Sequence, residues 1–276
     1  MKRIFIGIGA AVLAVLIAGL ALLPGVLEGQ INRIVDGVPI DITEEARARH
    51  GELAVVDLHA DTLLWARDPL DRADRGHVDL PRLVDGNVTL QVFSVVTKVP
   101  RDQRYTGTSG DSDVITLLAM VQRWPARTWD SLFERALYQA EKLHRAEDAA
   151  SGDLTIVRSA ADIDRLIAAR GDGNRPVGGL LATEGSHPLE GRIENVEMLY
   201  AAGYRMMGLT HFFDNELGGS LHGLSGEGLT DFGREAVREM ERLNIIVDLA
   251  HASPAVVRDT LDIATRPVVV SHTGIR

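Results

Sequence analysis

Apolar positions fall in three patterns along the chain. Residues 4–23, IFIGIGAAVLAVLIAGLALL, form one uninterrupted uncharged run. From about residue 47 onward, short continuous apolar runs alternate with longer stretches whose apolar residues recur at helical spacing. The short runs predict strands at 53–58, 88–96, 177–182, 206–210, 245–250 and 267–271. A strand buried on both faces reads as such a run. The periodic stretches predict helices over 130–149, 160–169, 195–202, 231–243 and 256–264. In the first of these, Leu132, Phe133, Ala136, Leu137, Ala140 and Leu143 share one face. In 231–243 the buried face is Phe232, Val237, Met240 and Leu243. Ser159, Thr230 and Ser253-Pro254 are helix start signals, and Gly203 is a stop. Strands alternating with helices predict a mostly parallel sheet covered by helices. The polar, glycine-bearing stretch 100–110 reads as a loop, and no phosphate-binding glycine fingerprint follows the first strand.

The first run is long enough to cross a hydrocarbon core of roughly 30 Å as a helix. It follows the basic Met1-Lys2-Arg3, and the nearest small-x-small site, Gly19-Leu20-Ala21, lies inside the run. These features favour an uncleaved inner-membrane anchor with the remainder on the outer (periplasmic or extracellular) side. A signal segment cleaved to release a secreted protein is the alternative. The chain then divides into a cytoplasmic basic tail (1–3), an anchor or signal segment (4–23), a membrane-proximal linker (24–46) and a barrel domain (47–276).

Polar residues collect where the predicted strands end. His59 and Asp61 end the first strand, in VVDLHADTLL, and residues two apart on a strand point the same way. Glu184 follows VGGLLAT, His211 follows YRMMGLT, His251 follows NIIVDLA and His272 follows RPVVVS. One such residue reads most simply as a satisfied structural histidine or a His–Asp hydrogen bond. Five strands ending this way read as one polar mouth, the C-terminal face where (β/α) barrels carry their chemistry. Imidazole and carboxylate are the ligands zinc and similar divalent ions take, and two such ions sharing a carboxylate hydrolyse amides, esters or phosphoesters. Asp248, three residues before His251, points away from the mouth by strand alternation and reads as an outer support. His187 and His222, in glycine-rich loops after strands, are open to a pocket-lining role but read more simply as exposed loop histidines, and His50, His77 and His144 as surface residues.

Composition narrows the chemistry. The chain has no cysteine, which removes disulfides, thiolate nucleophiles and cysteine-ligated zinc. A net charge of −10 argues against a nucleic-acid partner.

The chain resembles the membrane dipeptidase (renal dipeptidase) family of metal-dependent amidohydrolase-like barrels. The matching pieces are DLHADTLL (57–64), ATEGSHPLEG (182–191), YRMMGLTHFFDNELGGS (204–220), GLTDFGREAVREMERLNIIVDLAHAS (228–253) and PVVVSHTGIR (267–276). The resemblance implies a zinc-dependent dipeptidase of α/β class on a TIM-type (β/α)₈ barrel. His59 and Asp61 resemble the ligands of one zinc, His251 and His272 those of a second, and Glu184 the carboxylate bridging them. His211 matches the histidine that contacts substrate and polarises the scissile carbonyl. A hydroxide held between the two divalent ions would attack the amide of a dipeptide. A homodimer stays open, as does contact with a lipid bilayer through the N-terminal helix.

The pattern stops short of the family's. About six of eight barrel strands are accounted for by Arg276. The family's arginine for the substrate carboxylate and its proton-transferring aspartate both follow the His272 motif. The expectation is an incomplete barrel with two open strand edges. A catalytically inactive metal-binding remnant is one rival reading. Another amidohydrolase-type metallohydrolase is the second, although those usually open with His-x-His where this chain has His59 and Asp61.

Overall fold

The computed structural model of the chain describes residues 2–35, 37, 40–171 and 175–273, with side chains from Val15 onward except those of residues 16 and 17. Among these residues the strands are β1 (Val55–Ala60), β2 (Val88–Val95), β3 (Leu154–Ile156), β4 (Val177–Thr183), β5 (Tyr204–Gly208) and β6 (Ile246–Asp248). All pair in parallel in one sheet of order β1-β2-β4-β5-β6, with β3 beside the start of β4. The helices are α1 (Lys2–Ile31), α2 (Glu44–Gly51), α3 (Leu80–Asp85), α4 (Ile115–Val121), α5 (Leu132–Ala149), α6 (Ala160–Gly171), α7 (Glu194–Ala201), α8 (Asp231–Arg242) and α9 (Pro254–Ile263). The sheet curves as half of a parallel-strand barrel.

Burial explains this arrangement. All seven residues of β4 are buried, so its VGGLLAT needs no alternation. A Cβ on Gly178 would stand 2.7 Å from a Leu166 methyl, so a larger residue there would require the α6 leucine to shift. Between sheet and helices lie Leu143, Val196, Leu199, Met207, Val237 and Met240, each fully buried. A separate, smaller cluster holds Val92, Leu180, Ala182 and Met206. Two of the three predicted caps form: Thr230 Oγ1 accepts from Gly233 N at 3.0 Å and Ser253 Oγ from Val256 N at 3.0 Å, whereas Ser159 Oγ donates to Asp162 Oδ2 at 2.9 Å. Such caps contribute about 1 kcal/mol each.

Several boundaries differ from the sequence pattern. The first strand is two residues later than predicted, because Leu53 is 58% exposed and unpaired while His59 and Ala60 continue the strand. The strand predicted at 206–210 starts at Tyr204, and that at 245–250 shortens to Ile246–Asp248. The run 267–271 makes a single parallel bridge, Val269 to Asp248, instead of a full strand. It lies at the outer edge of the sheet with a neighbour on one side, and Val270 is 52% exposed. At the opposite edge Val56 and Leu58 of β1 are also partly exposed. β3 is absent from the sequence reading, since three residues are too few to show a period.

The N-terminal end differs too. Helix α1 continues through Pro24 to Ile31, into the stretch read as a linker. Glu28 near its end is buried, held by Arg67 and Arg75. Among the described residues no helix is long and apolar enough to cross a membrane. Residues 4–14, 16 and 17 of the run read as an anchor fall outside the described side chains.

Candidate metal centre

The parallel strands all deliver their C-terminal ends to one side, and the predicted polar residues meet there. Glu184 follows β4 and is 8% exposed. Its Oε1 lies 3.5 Å from His59 Nε2, 3.2 Å from His211 Nε2, 3.2 Å from His251 Nε2 and 3.6 Å from His272 Nε2. One carboxylate oxygen is thus ringed by four imidazole nitrogens from four other strand ends. His251 Nε2 and His272 Nε2 approach to 2.8 Å, and the rings of His59 and His272 lie tilted with centroids 4.0 Å apart. Asp61 lies just past β1, at the head of a short 3-10 turn, with Oδ1 3.4 Å from His59 Nε2. That oxygen is buried and has no hydrogen-bond partner.

Local backbone geometry holds these groups. Gly185 follows the shared carboxylate with φ of 76°, and a Cβ there would stand 2.5 Å from the His187 ring. Glycine is required on both counts. His251 adopts a left-handed φ of 63°, a conformation costing a non-glycine residue about 1–3 kcal/mol. Its carbonyl accepts from Leu221 N at 2.7 Å, Thr210 Oγ1 at 3.1 Å and Ser220 Oγ at 3.3 Å, which together offset that strain. Ser220 Oγ also donates to His211 O, so one hydroxyl ties together two histidine-bearing loops. Asp248 supports His272 as an outer group: it accepts from Ser271 N at 3.0 Å and from Ser271 Oγ, whose oxygen is 2.9 Å from His272 Nδ1.

The electrostatics follow from packing opposite charges out of water. Burial disfavours the charged form of His59, but the contact with Asp61 and the charges of Glu184 and Asp248 outweigh it and raise the pKa to about 9. Burial and the neighbouring Glu184 charge raise Asp61. Glu184 is held well below the carboxylate range despite its burial, through His211, His251 and His59. His272 is pushed down to about 4 by burial and by the charge of His59.

The donor set fits divalent metal. Two clusters, His59–Glu184–His272 and Glu184–His211–His251, have ligand atoms within 4.8 Å of one another, and both include Glu184. Neutral imidazole and carboxylate in compact, partly buried groups sharing one acid suit zinc or a similar ion. The orphaned Asp61 oxygen is a further unused donor at the edge. The pairs implied by the resemblance are also close in space: His59 Nε2 lies 3.4 Å from Asp61 Oδ1, and His251 Nε2 lies 2.8 Å from His272 Nε2. At pH 7 a His59 with its pKa near 9 carries a proton that an incoming ion must displace. Zinc uptake by the metal-free chain is therefore expected to release a proton from His59. Its apparent affinity should climb about tenfold per pH unit up to about 9 for that one proton. Calorimetry in buffers of differing ionisation enthalpy counts the protons, and uptake without proton release would refute a protonated His59.

Other histidines depart from the sequence reading. His187 and His222 are buried instead of exposed. His187 packs on Phe213 with ring centroids 4.4 Å apart, and burial with the charges of His211 and Lys98 pushes its pKa down to about 3. His222 stacks on Phe212 and its Nδ1 is 2.8 Å from Tyr105 O, pinning the 100–110 loop over the mouth. Their glycine neighbours suggested loops, but nothing in the sequence shows that a second loop covers them. His144 is half-buried against Ala202 O at 2.9 Å, whereas His50 and His77 are exposed as expected. Ser220 is legible in the sequence only as part of the Gly218-Gly219-Ser220 turn, and Ser271 gives no signal there, because their role is to hold other residues' backbone and ring positions.

Comparison with known proteins agrees with this geometry. The family model for membrane dipeptidase (peptidase family M19) matches residues 43–276. Dipeptidase tcpJ of Claviceps purpurea is 26% identical over 258 residues, covering 90% of this chain and 54% of that protein. Dipeptidase 3 of Mus musculus is 26% identical over 260 residues, covering 85% of this chain and 44% of that protein. The chain therefore spans about half the length of the curated relatives it matches. A metallopeptidase from Rhodobacter sphaeroides, solved with a phosphinate mimic of the dipeptide L-Ala-D-Ala, superposes with a TM-score of 0.61 at 25% identity. That match covers 80% of this chain and 65% of the other.

Proposed function

Because the chain belongs to the membrane dipeptidase family, peptidase family M19, we propose that it forms the metal-binding part of a zinc-dependent dipeptidase that hydrolyses the amide bond of a dipeptide. The observation that carries the proposal is the single Glu184 oxygen within 3.2–3.6 Å of four imidazole nitrogens. Glu184 would be the acid shared by the divalent ions, with His59 and Asp61 holding one and His251 and His272 the other. Divalent ions bound there supply a Lewis acid and a water of lowered pKa.

The remaining chemistry belongs to the chain. His211 is 3% exposed, so its Nε2 is presented from a fixed ring. It orients the substrate carbonyl and donates to the oxyanion that develops on it, a role in which preorganisation counts for more than flexibility. Asp248 and Ser271 hold the His272 ring by its far nitrogen. The 100–110 loop and Phe212 exclude water from one side of the mouth. The apolar run at 4–23 after three residues ending Lys2-Arg3 supports, within the same proposal, an anchor that leaves this site outside the inner membrane.

The test is elemental analysis of the purified full chain together with turnover of a mixed dipeptide set, with and without added zinc. Two zinc ions per chain with dipeptide hydrolysis is the expected result. Two ions with no turnover would keep the metal centre and reject the dipeptidase reading for this chain alone. Absence of bound metal would reject both.

A further inference from the structure

Glu28 lies outside the barrel sequence, on the helix that precedes it, yet it is 1% exposed. A buried carboxylate needs partners, and it has two: Oε1 accepts from Arg67 Nε at 2.8 Å and Oε2 from Arg75 Nε at 3.2 Å. Both arginines belong to the loop that leaves β1 immediately after Asp61. Arg67 Nη1 donates onward to Val78 O at 2.7 Å, and the same carbonyl is 3.5 Å from Thr62 Oγ1, one residue from Asp61. The carboxylate thus clamps the outgoing and returning arms of this loop.

The chain after Glu28 continues the contact. Asn32 O accepts from Gly76 N at 2.7 Å, and Arg33 forms an antiparallel bridge with Arg75. Gly25 and Gly29, one turn apart on α1, open the face along which the Arg75 side chain lies. A Cβ at these positions would stand 3.2 Å and 3.6 Å from it. Asn32 then lines a cleft of about 300 Å³ together with Asp61, Thr62, Trp65 and His77.

β1 pairs with β2 on one side. The loop that follows Asp61 is held by Lys142 Nζ, which donates to Leu63 O at 2.5 Å and to Trp65 O, and by Glu28 through Arg67 and Arg75.

We propose that Glu28 is a positioning residue for the loop carrying Asp61, so that residues 28–33 brace that loop instead of forming a passive linker. The inference rests on the metal-centre reading above. It ties the helix preceding the barrel to the strength of metal binding.

The experiment compares zinc dissociation constants of the full chain and its variants by competition with a chromogenic chelator, alongside thermal unfolding of the metal-free forms. Glu28→Gln is expected to weaken zinc binding by about tenfold or more, the effect of losing a group that orients a ligand. Glu28→Asp, which keeps the charge, is expected to recover part of it. Tyr204→Phe is the control: it removes the buried bond to Ala136 O at the opposite end of the barrel. It lowers stability and should leave zinc affinity unchanged. If Glu28→Gln fails to fold, Arg75→Met makes the same test while keeping the Glu28–Arg67 pair. Equal zinc affinity in wild type and the folded Glu28 or Arg75 variant would overturn the inference alone. A wild-type chain that binds no zinc would overturn the metal-centre reading beneath it.

Discussion

Glutamine in place of Glu184 is expected to cut the zinc affinity of the chain by at least about a hundredfold, beyond the roughly 10–100-fold lost with an outer-shell partner. Four imidazole nitrogens converge on this one oxygen, so no neighbour can take over its charge. An amide offers a weaker, neutral oxygen, and the two clusters lose the acid they share. Dipeptide turnover should fall by about a thousandfold or more, since several kcal/mol of transition-state stabilisation by metal would be lost. The variant also removes one of the charges that hold His59 protonated, so the proton released on zinc uptake should diminish in parallel. Dialysis against a zinc buffer followed by elemental analysis decides the matter. A glutamine variant with wild-type zinc content would show that Glu184 is not a ligand.

Arg135→Met is expected to destabilise the fold by about 3–5 kcal/mol, the cost of breaking a buried ion pair by removing one partner. The side chain is 1% exposed. Its Nε donates to Thr128 O at 2.7 Å and Nη1 to Thr97 O at 2.7 Å and Asp113 Oδ2 at 2.5 Å. Nη2 donates to Thr116 Oγ1 at 2.7 Å and Trp129 O at 2.6 Å. This guanidinium therefore fastens α5 to the end of β2, to α4 and to the long loop between them. Against a typical domain stability of about 5–15 kcal/mol the loss is large. Arg135→Lys should suffer most of it, because an ammonium cannot reach acceptors arranged around a planar fork. Urea unfolding measures both variants, and a loss below about 1 kcal/mol for Arg135→Met would refute this account.

The two predictions differ in how far the sequence foretells them. Glu184 is legible because an expensive charged residue ends a run of seven buried positions, and the same contrast exposes His59, His211, His251 and His272. Arg135 is not legible. It falls on the apolar side of a helix whose other positions look ordinary, and its acceptors come from residues 97 to 129, scattered over several elements. Asp248 is half legible: alternation places it off the mouth, but its hold on Ser271 depends on an edge segment that makes one bridge. His187 and His222 are misread because glycine-rich surroundings describe backbone freedom, while burial depends on which distant loop lies above.

By itself the sequence determined the alternation of strands and helices, the parallel sheet and which polar residues end the strands. Local rules suffice for these, since apolar periodicity and the cost of burying polar groups act along the chain. Only the tertiary structure decided that four imidazoles converge on one Glu184 oxygen, why His251 tolerates a left-handed backbone, and that Glu28 reaches the loop of Asp61. Each of these depends on contacts between residues far apart in sequence, and the energy of such contacts is defined only once the sheet has brought them together.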